Sequence, residues 1–204
     1  MKLFASLTSP YARKIRIVLA EKALDFELAV DSPWESVTRV PSINPLGKVP
    51  ALENDEGDVF FDSPVIAAYL ETLNAEPRLI PVDALEAVRV RQLEALADGM
   101  VDAAVAIVLE QRRDEAQRSA AAIERQRGKI EQGLAFLEKL TASRSTWLHG
   151  DHMSLADIAV AVMLAYLDLR LPDLAWRDTH HALDRFAARM FERPSFHETV
   201  PPAG

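Results

Sequence analysis

The apolar positions of this chain change their period once, near residue 80. Before that point short elements of different type alternate. Lys2–Ala5 is a run of strand length. Pro10–Lys22 places Ile15, Val18 and Leu19 on one helical face. Phe26–Val30 mixes apolar and acidic positions as a half-buried strand does. Asp31–Arg39 is polar and reads as a loop with a helical turn. Val49–Glu53 and Val59–Phe61 are short strands, and Asn54-Asp55-Glu56-Gly57 between them is hairpin turn chemistry. Ser63 then reads as an N-cap, with Pro64 at the first helical position and Ile66, Ala67, Tyr69 and Leu70 behind it. The predicted order is strand–helix–strand, hairpin, helix.

Glu76-Pro77-Arg78-Leu79-Ile80-Pro81 breaks the pattern, and the composition changes after it. From Asp83 to Leu140 there is no proline, and Ala, Glu, Gln, Arg and Leu, all strong helix formers, dominate. Val90, Leu93, Ala97, Met100, Val101, Ala104, Val105 and Val108 form one helical stripe. Arg112 to Arg118 is charged and bends or caps the chain. Ile123, Ile130, Leu134, Leu137 and Leu140 predict a second long helix, Leu155 to Leu167 a third, and Leu183, Phe186, Ala187 and Met190 a fourth. The expectation is an α/β domain over residues 1–76, a linker at 77–82, and an all-helical bundle over 83–204.

Composition narrows the function. The 204 residues are 49% hydrophobic and 26% charged, ordinary values for a globular protein. The net charge is −8, and residues 1–76 alone carry seven Lys/Arg against twelve Asp/Glu. Neither part is basic, which argues against a nucleic-acid partner. Arg13, Lys14 and Arg16 are the only early basic cluster and read as a solvated helix face. The absence of cysteine excludes disulfides, thiolate metal sites and a protein-borne thiol nucleophile. The longest apolar run, Ile158 to Leu167, is half the roughly 20 residues a membrane span needs. The opening residues do not read as a secretory signal. The expectation is a cytoplasmic protein.

Three short segments carry candidate chemistry. Ser9-Pro10 is a preferred helix start, since Ser caps and Pro is favoured after it. The same placement has a chemical use. A helix N-terminus favours an anion, and a hydroxyl there donates to a thiolate; both effects lower a bound thiol from its usual pKa of about 8.5. Val49-Pro50 is either a proline opening an edge strand or a cis bond, which turns the Val49 N–H and C=O outward to pair with a peptide ligand. Asp62-Ser63 is either a helix cap or a cradle. In the cradle, Ser63 and the helix amides take a carboxylate, and Asp62 meets an ammonium group. Lys48, beside Val49-Pro50, is solvated or pairs with a ligand carboxylate. His149, Asp151, His152 and Asp157 match no metal-ligand spacing, so no metal is expected.

In order and spacing these residues resemble a glutathione transferase over nearly the whole chain. The serine-type enzymes with a Ser-Pro-aromatic motif, such as the plant tau class and related bacterial proteins, are the most similar. The resemblance implies a thioredoxin-like N-terminal domain and a helical C-terminal domain. It puts the family's catalytic serine on Ser9, its glutathione-binding lysine on Lys48 and its cis-proline on Pro50 with Val49 before it. The acidic-Ser pair falls on Asp62-Ser63, where many members carry Glu in place of Asp62. Ser154-Leu155-Ala156-Asp157 matches a further family segment, physically a capping box, and Arg193-Pro194-Ser195-Phe196 resembles the terminal one. The implied activity is glutathione transfer to a small apolar electrophile, with glutathione as co-substrate. Thiol-dependent peroxide reduction and isomerisation are variants of it. A non-catalytic, glutathione-binding interaction module of the same fold is the alternative. Tyr11, Met100 and Ala104 are the expected surroundings of the electrophile, and a homodimer is the expected assembly.

Overall fold

A computed structural model of the chain describes residues 1–144 and 146–202. They divide into two compact units, residues 1–82 together with the segment from Arg193, and residues 83–192.

The first unit is built on a four-stranded sheet. β1 (Lys2–Ala5) is followed by α1 (Pro10–Glu21) and β2 (Glu27–Val30), and the crossover through α1 lets β1 and β2 pair in parallel, Lys2 with Glu27 through Ala5 with Val30. A one-turn helix, α2 (Val40–Ile43), precedes β3 (Ala51–Glu53), β4 (Val59–Phe60) and α3 (Ser63–Thr72). The sheet order is β2-β1-β3-β4. β3 runs antiparallel to β1, with Ala51 opposite Phe4, and β4 runs antiparallel to β3, with Phe60 opposite Leu52. The hairpin turn is held by Asn54, whose side-chain oxygen accepts the Glu56 and Asp58 N–H groups at 3.1 and 2.8 Å. Leu3, Ile15, Leu19, Leu52, Ile66 and Leu70 form the core. This is the thioredoxin-like arrangement.

Three details differ from the sequence reading. α2 lies just after the Asp31–Arg39 loop, where no element was expected; one turn is too short to show a period. α3 begins one residue early. Asp62, not Ser63, is its cap: the Asp62 carboxylate accepts the Ser63 N–H, and its carbonyl accepts from Val65 and Ile66 at 2.9 and 3.0 Å. Both residue types are good caps, so composition alone does not separate them. Third, Arg13 and Lys14 are not a solvated face. They are 7% and 1% exposed, and Arg13 donates to the Phe196 carbonyl and the Thr199 hydroxyl at 3.2 and 3.4 Å.

That last contact belongs to a longer seam. Residues from Arg193, including the short helix α8 (Pro194–His197), lie with the first unit rather than with the helical one. Arg193 forms a two-pronged pair with Glu21 at 2.6 and 2.7 Å, and the Ser195 hydroxyl donates to the same carboxylate at 2.6 Å. The next residue, Lys22, is buried, donates to the Ala75 and Pro77 carbonyls at 2.8 and 2.9 Å and pairs with Glu71 at 3.0 Å. These bonds fasten the chain after α3 to the end of α1.

The second unit consists of α4 (Ala84–Gln111), α5 (Ala120–Ala142), α6 (Leu155–Arg170) and α7 (His181–Phe191), with a 3-10 turn between α4 and α5 and two between α6 and α7. α4 starts at Asp83, which accepts from Leu85 and Glu86, and α5 at Ser119, which accepts from Ala122. α6 is buried over most of its circumference. Its entry is fixed by Asp157, whose carboxylate accepts the N–H and hydroxyl of Ser154 and the N–H of Leu148, each at 2.8 Å. α7 is capped from another helix: Glu138 of α5 accepts from Ala182 and Leu183 at 2.9 Å. Among the described residues no helix is long and apolar enough to cross a membrane.

Candidate functional site

Strand register brings the three candidate segments of the first unit to one edge of the sheet. Phe4 pairs with Ala51, so the chain leaving β1 runs beside the chain entering β3. Phe60 pairs with Leu52, so the chain leaving β4 reaches that edge as well. Ser9 follows β1, Lys48-Val49-Pro50 precede β3, and Asp62-Ser63 follow β4. α1 and α3 both begin there, and neither carries an acidic residue in its first turn. The positive ends of two helices therefore face the same edge, a setting that favours anions.

Ser9 is half-buried. Its N–H donates to the Ser6 carbonyl at 3.1 Å, its carbonyl accepts from Arg13 at 2.9 Å, and its Oγ accepts the Ala12 N–H at 3.3 Å. Ser9 is thus a cap, and capping uses only the acceptor side of the hydroxyl. The O–H hydrogen remains available to a ligand atom. The structural and chemical uses of Ser9 are compatible.

Lys48 and Val49 are presented by a turn built around Asn44. Asn44 is buried; its side-chain NH2 donates to the Lys48 carbonyl at 2.9 Å, and its Oδ1 accepts the Leu46 N–H at 3.0 Å. Gly47 closes the turn at φ +61°, a conformation that suits glycine, and donates to the Asn44 carbonyl at 2.8 Å. The Val49–Pro50 bond is cis. Among the described residues neither the N–H nor the C=O of Val49 has a backbone partner. Lys48 is exposed and Pro50 buried. Asn44 is given no role in the sequence analysis. The signal was there: an Asn two residues before Leu46-Gly47 is turn chemistry in its own right.

Ser63 is fully buried, and its Oγ has no hydrogen-bond partner among the described residues. A buried hydroxyl left unpaired costs roughly 1–3 kcal/mol, so it is an uncommon feature. Asp62 beside it is exposed. Tyr11 lies half-buried in the first turn of α1. Met100 and Ala104 belong to the second unit, on α4, and both are buried there; Met100 packs over Gly133 of α5. Among the described residues no three His, Cys, Asp or Glu side chains gather as a metal site.

The chain is similar to known proteins over its full length. Residues 8–73 match the model of the glutathione S-transferase N-terminal domain, and residues 120–189 that of the C-terminal domain. The GST-like protein YibF of Escherichia coli is 43% identical over 202 residues, 99% of each chain. The structure of a glutathione S-transferase from Methylobacterium radiotolerans, in complex with glutathione sulfonate, is 44% identical with a TM-score of 0.94, covering 100% of this chain and 95% of that one. One from Methylobacillus flagellatus with GSH bound is 44% identical with a TM-score of 0.95, covering 98% of each. The fold and the site define a thioredoxin-like domain joined to a helical one. This chain belongs to the glutathione S-transferase family.

Proposed function

We propose that this protein binds glutathione at the sheet edge and holds its sulfur as a thiolate for attack on an apolar electrophile. The observation that carries the reading is the unpartnered Ser63 Oγ, buried at the start of α3, at the same end of the sheet as the unpaired Val49 backbone. In this reading Ser63 and the α3 amides take the γ-glutamyl carboxylate, and Asp62 meets the adjoining ammonium. Val49 pairs antiparallel with the cysteinyl backbone, Pro50 fixes that turn, and Lys48 meets the glycine carboxylate. The Ser9 hydroxyl then donates to the sulfur.

Such a charge-assisted bond contributes about 1.5–3 kcal/mol, equivalent to about one to two pKa units on the bound thiol. A thiol at about 8.5 is only a few per cent ionised at pH 7, whereas one lowered to about 7 is half ionised. The thiol proton leaves to solvent, the thiolate forms a bond to carbon, and the electrophile's leaving group departs with its electron pair. Positioning supplies the rest of the acceleration.

Glutathione is expected to raise the melting temperature, and turnover of 1-chloro-2,4-dinitrobenzene is expected to fall about ten- to hundredfold in Ser9→Ala. No thermal shift would sink the reading. A shift with turnover unchanged in Ser9→Ala would keep the ligand and remove Ser9 from the mechanism. Binding without turnover across a panel of electrophiles would favour the non-catalytic module. Light scattering at the assay concentration tests the homodimer.

A further inference from the structure

The proposed chemistry leaves one buried charge next to Ser9 without a task. Arg13 lies one helical turn after Ser9, and its main-chain N–H closes that turn on the Ser9 carbonyl at 2.9 Å. Its side chain is 7% exposed. The groups it meets are uncharged: the Phe196 carbonyl at 3.2 Å, the Thr199 hydroxyl at 3.4 Å and the Phe196 ring at 5.8 Å. Among the described residues no carboxylate pairs with it.

The surrounding charges do not compensate it. Arg16, a turn further along α1, donates to the Glu198 carbonyl at 3.3 Å, and Glu198 itself is exposed. Glu21 is already paired with Arg193. Burial, with a smaller contribution from Arg16, pulls the Arg13 guanidinium down to about 10, still protonated at neutral pH. A buried charge is costly unless paired. Placing it on uncharged acceptors preserves its full field, which a carboxylate would cancel.

We propose that Arg13 is a positioning residue of the site: the segment from Arg193 holds its guanidinium against α1, one turn after Ser9, where it adds a positive charge paired with no carboxylate that favours an anionic sulfur at the helix start. This rests on the glutathione reading. The charge acts on the thiolate and has little effect on a ligand whose sulfur cannot ionise. At an effective dielectric of about 20 and a separation of about 10 Å, removing one charge shifts a neighbouring acid by about one pH unit.

The test compares wild type, R13Q and R13K by following thiolate absorbance of bound glutathione against pH, with S-methylglutathione affinity measured in parallel. In R13Q the apparent pKa of the bound thiol is expected to rise by about one unit, with S-methylglutathione affinity changed less than about threefold. R13K retains the charge and is expected to keep the wild-type pKa. Equal pKa values in wild type and R13Q would overturn the proposal while leaving glutathione binding intact. So would equal losses of affinity for both ligands, which mark a merely structural role. Should R13Q not fold, R13K decides: a rise of a full unit with the charge retained overturns the electrostatic role. Wild-type protein that binds neither ligand overturns the glutathione reading, and this proposal with it.

Discussion

Gly133 of α5 offers a substitution whose sign is decided by two opposed magnitudes. Replacing a helix-interior glycine by alanine ordinarily stabilises by about 0.5–1 kcal/mol, through the entropy lost from the unfolded chain. Here a Cβ at Gly133 would overlap Met100 Sδ outright and lie 2.9 Å from its Cγ and 3.0 Å from its Cε. The collision takes in every atom of the Met100 side chain beyond Cβ, and burial leaves that side chain little room to turn aside. Overpacking of this kind costs about 1–3 kcal/mol, so G133A is expected to be net destabilising by about 1 kcal/mol. The three atoms in the way are those that M100A removes. In the M100A background the same G133A substitution is therefore expected to stabilise by up to about 1 kcal/mol, a coupling of roughly 2 kcal/mol. Urea unfolding of the four proteins, followed by far-UV circular dichroism with the slope m held common, measures the cycle. A G133A protein as stabilised in wild type as in M100A would refute the reasoning.

Three further outcomes are open to measurement. S63A removes a buried hydroxyl that has no partner, so the ligand-free protein is expected to be as stable as wild type or up to about 1 kcal/mol more so. Its glutathione affinity is expected to fall about tenfold; a protein destabilised without ligand would contradict the orphan assignment. K22M leaves the Glu71 carboxylate with the Leu79 N–H at 3.0 Å and Arg78 at 3.8 Å but without its buried partner, and is expected to cost about 2–4 kcal/mol in chemical unfolding, part of it recovered in K22M/E71L, whereas a cost below about 1 kcal/mol would show the pair to be dispensable. For Glu21, burial opposes ionisation, but bonds from Arg193 and Ser195 outweigh it and hold the carboxyl below its usual 4.5. A depressed folded value means that this contribution is complete above about 4.5 and is lost as pH falls through the lower folded value. Acid unfolding of wild type should accordingly be steeper below pH 4.5 than that of E21Q, and coincident curves would remove Glu21 from the account.

What the sequence made legible was mostly local. Ser9-Pro10, Asn54 to Gly57 and Ser154 to Asp157 each act within four residues, and each does in the structure what its residue types dictate. Elements with a long apolar stripe were equally readable, as α4 and α5 show. Contacts between distant positions were not. Nothing near Ala182 announces that Glu138 will cap it, because the capping carboxylate lies 44 residues away. Arg13 looks like surface until Phe196 and Thr199 return to cover it, 183 and 186 residues later. The site itself fell between these cases. Its residue types stood in short motifs, but their meeting at one edge depends on the β1–β3 and β3–β4 registers, and the unpaired state of Ser63 Oγ is a property of the packed molecule.

The seam between α1 and the segment from Arg193 has a consequence for how the molecule is made. The first unit is interrupted by the second: 110 residues of helical chain, Asp83–Glu192, are synthesised between its two parts. While they emerge, Glu21 waits for Arg193 and Ser195, and Arg13 for Phe196 and Thr199. A nascent chain halted after α3 carries every residue of the sheet edge but lacks the groups that bury its helix. The helical unit is thus free to fold before the sheet unit that precedes it in sequence is complete, and order of synthesis and order of completion run in opposite directions.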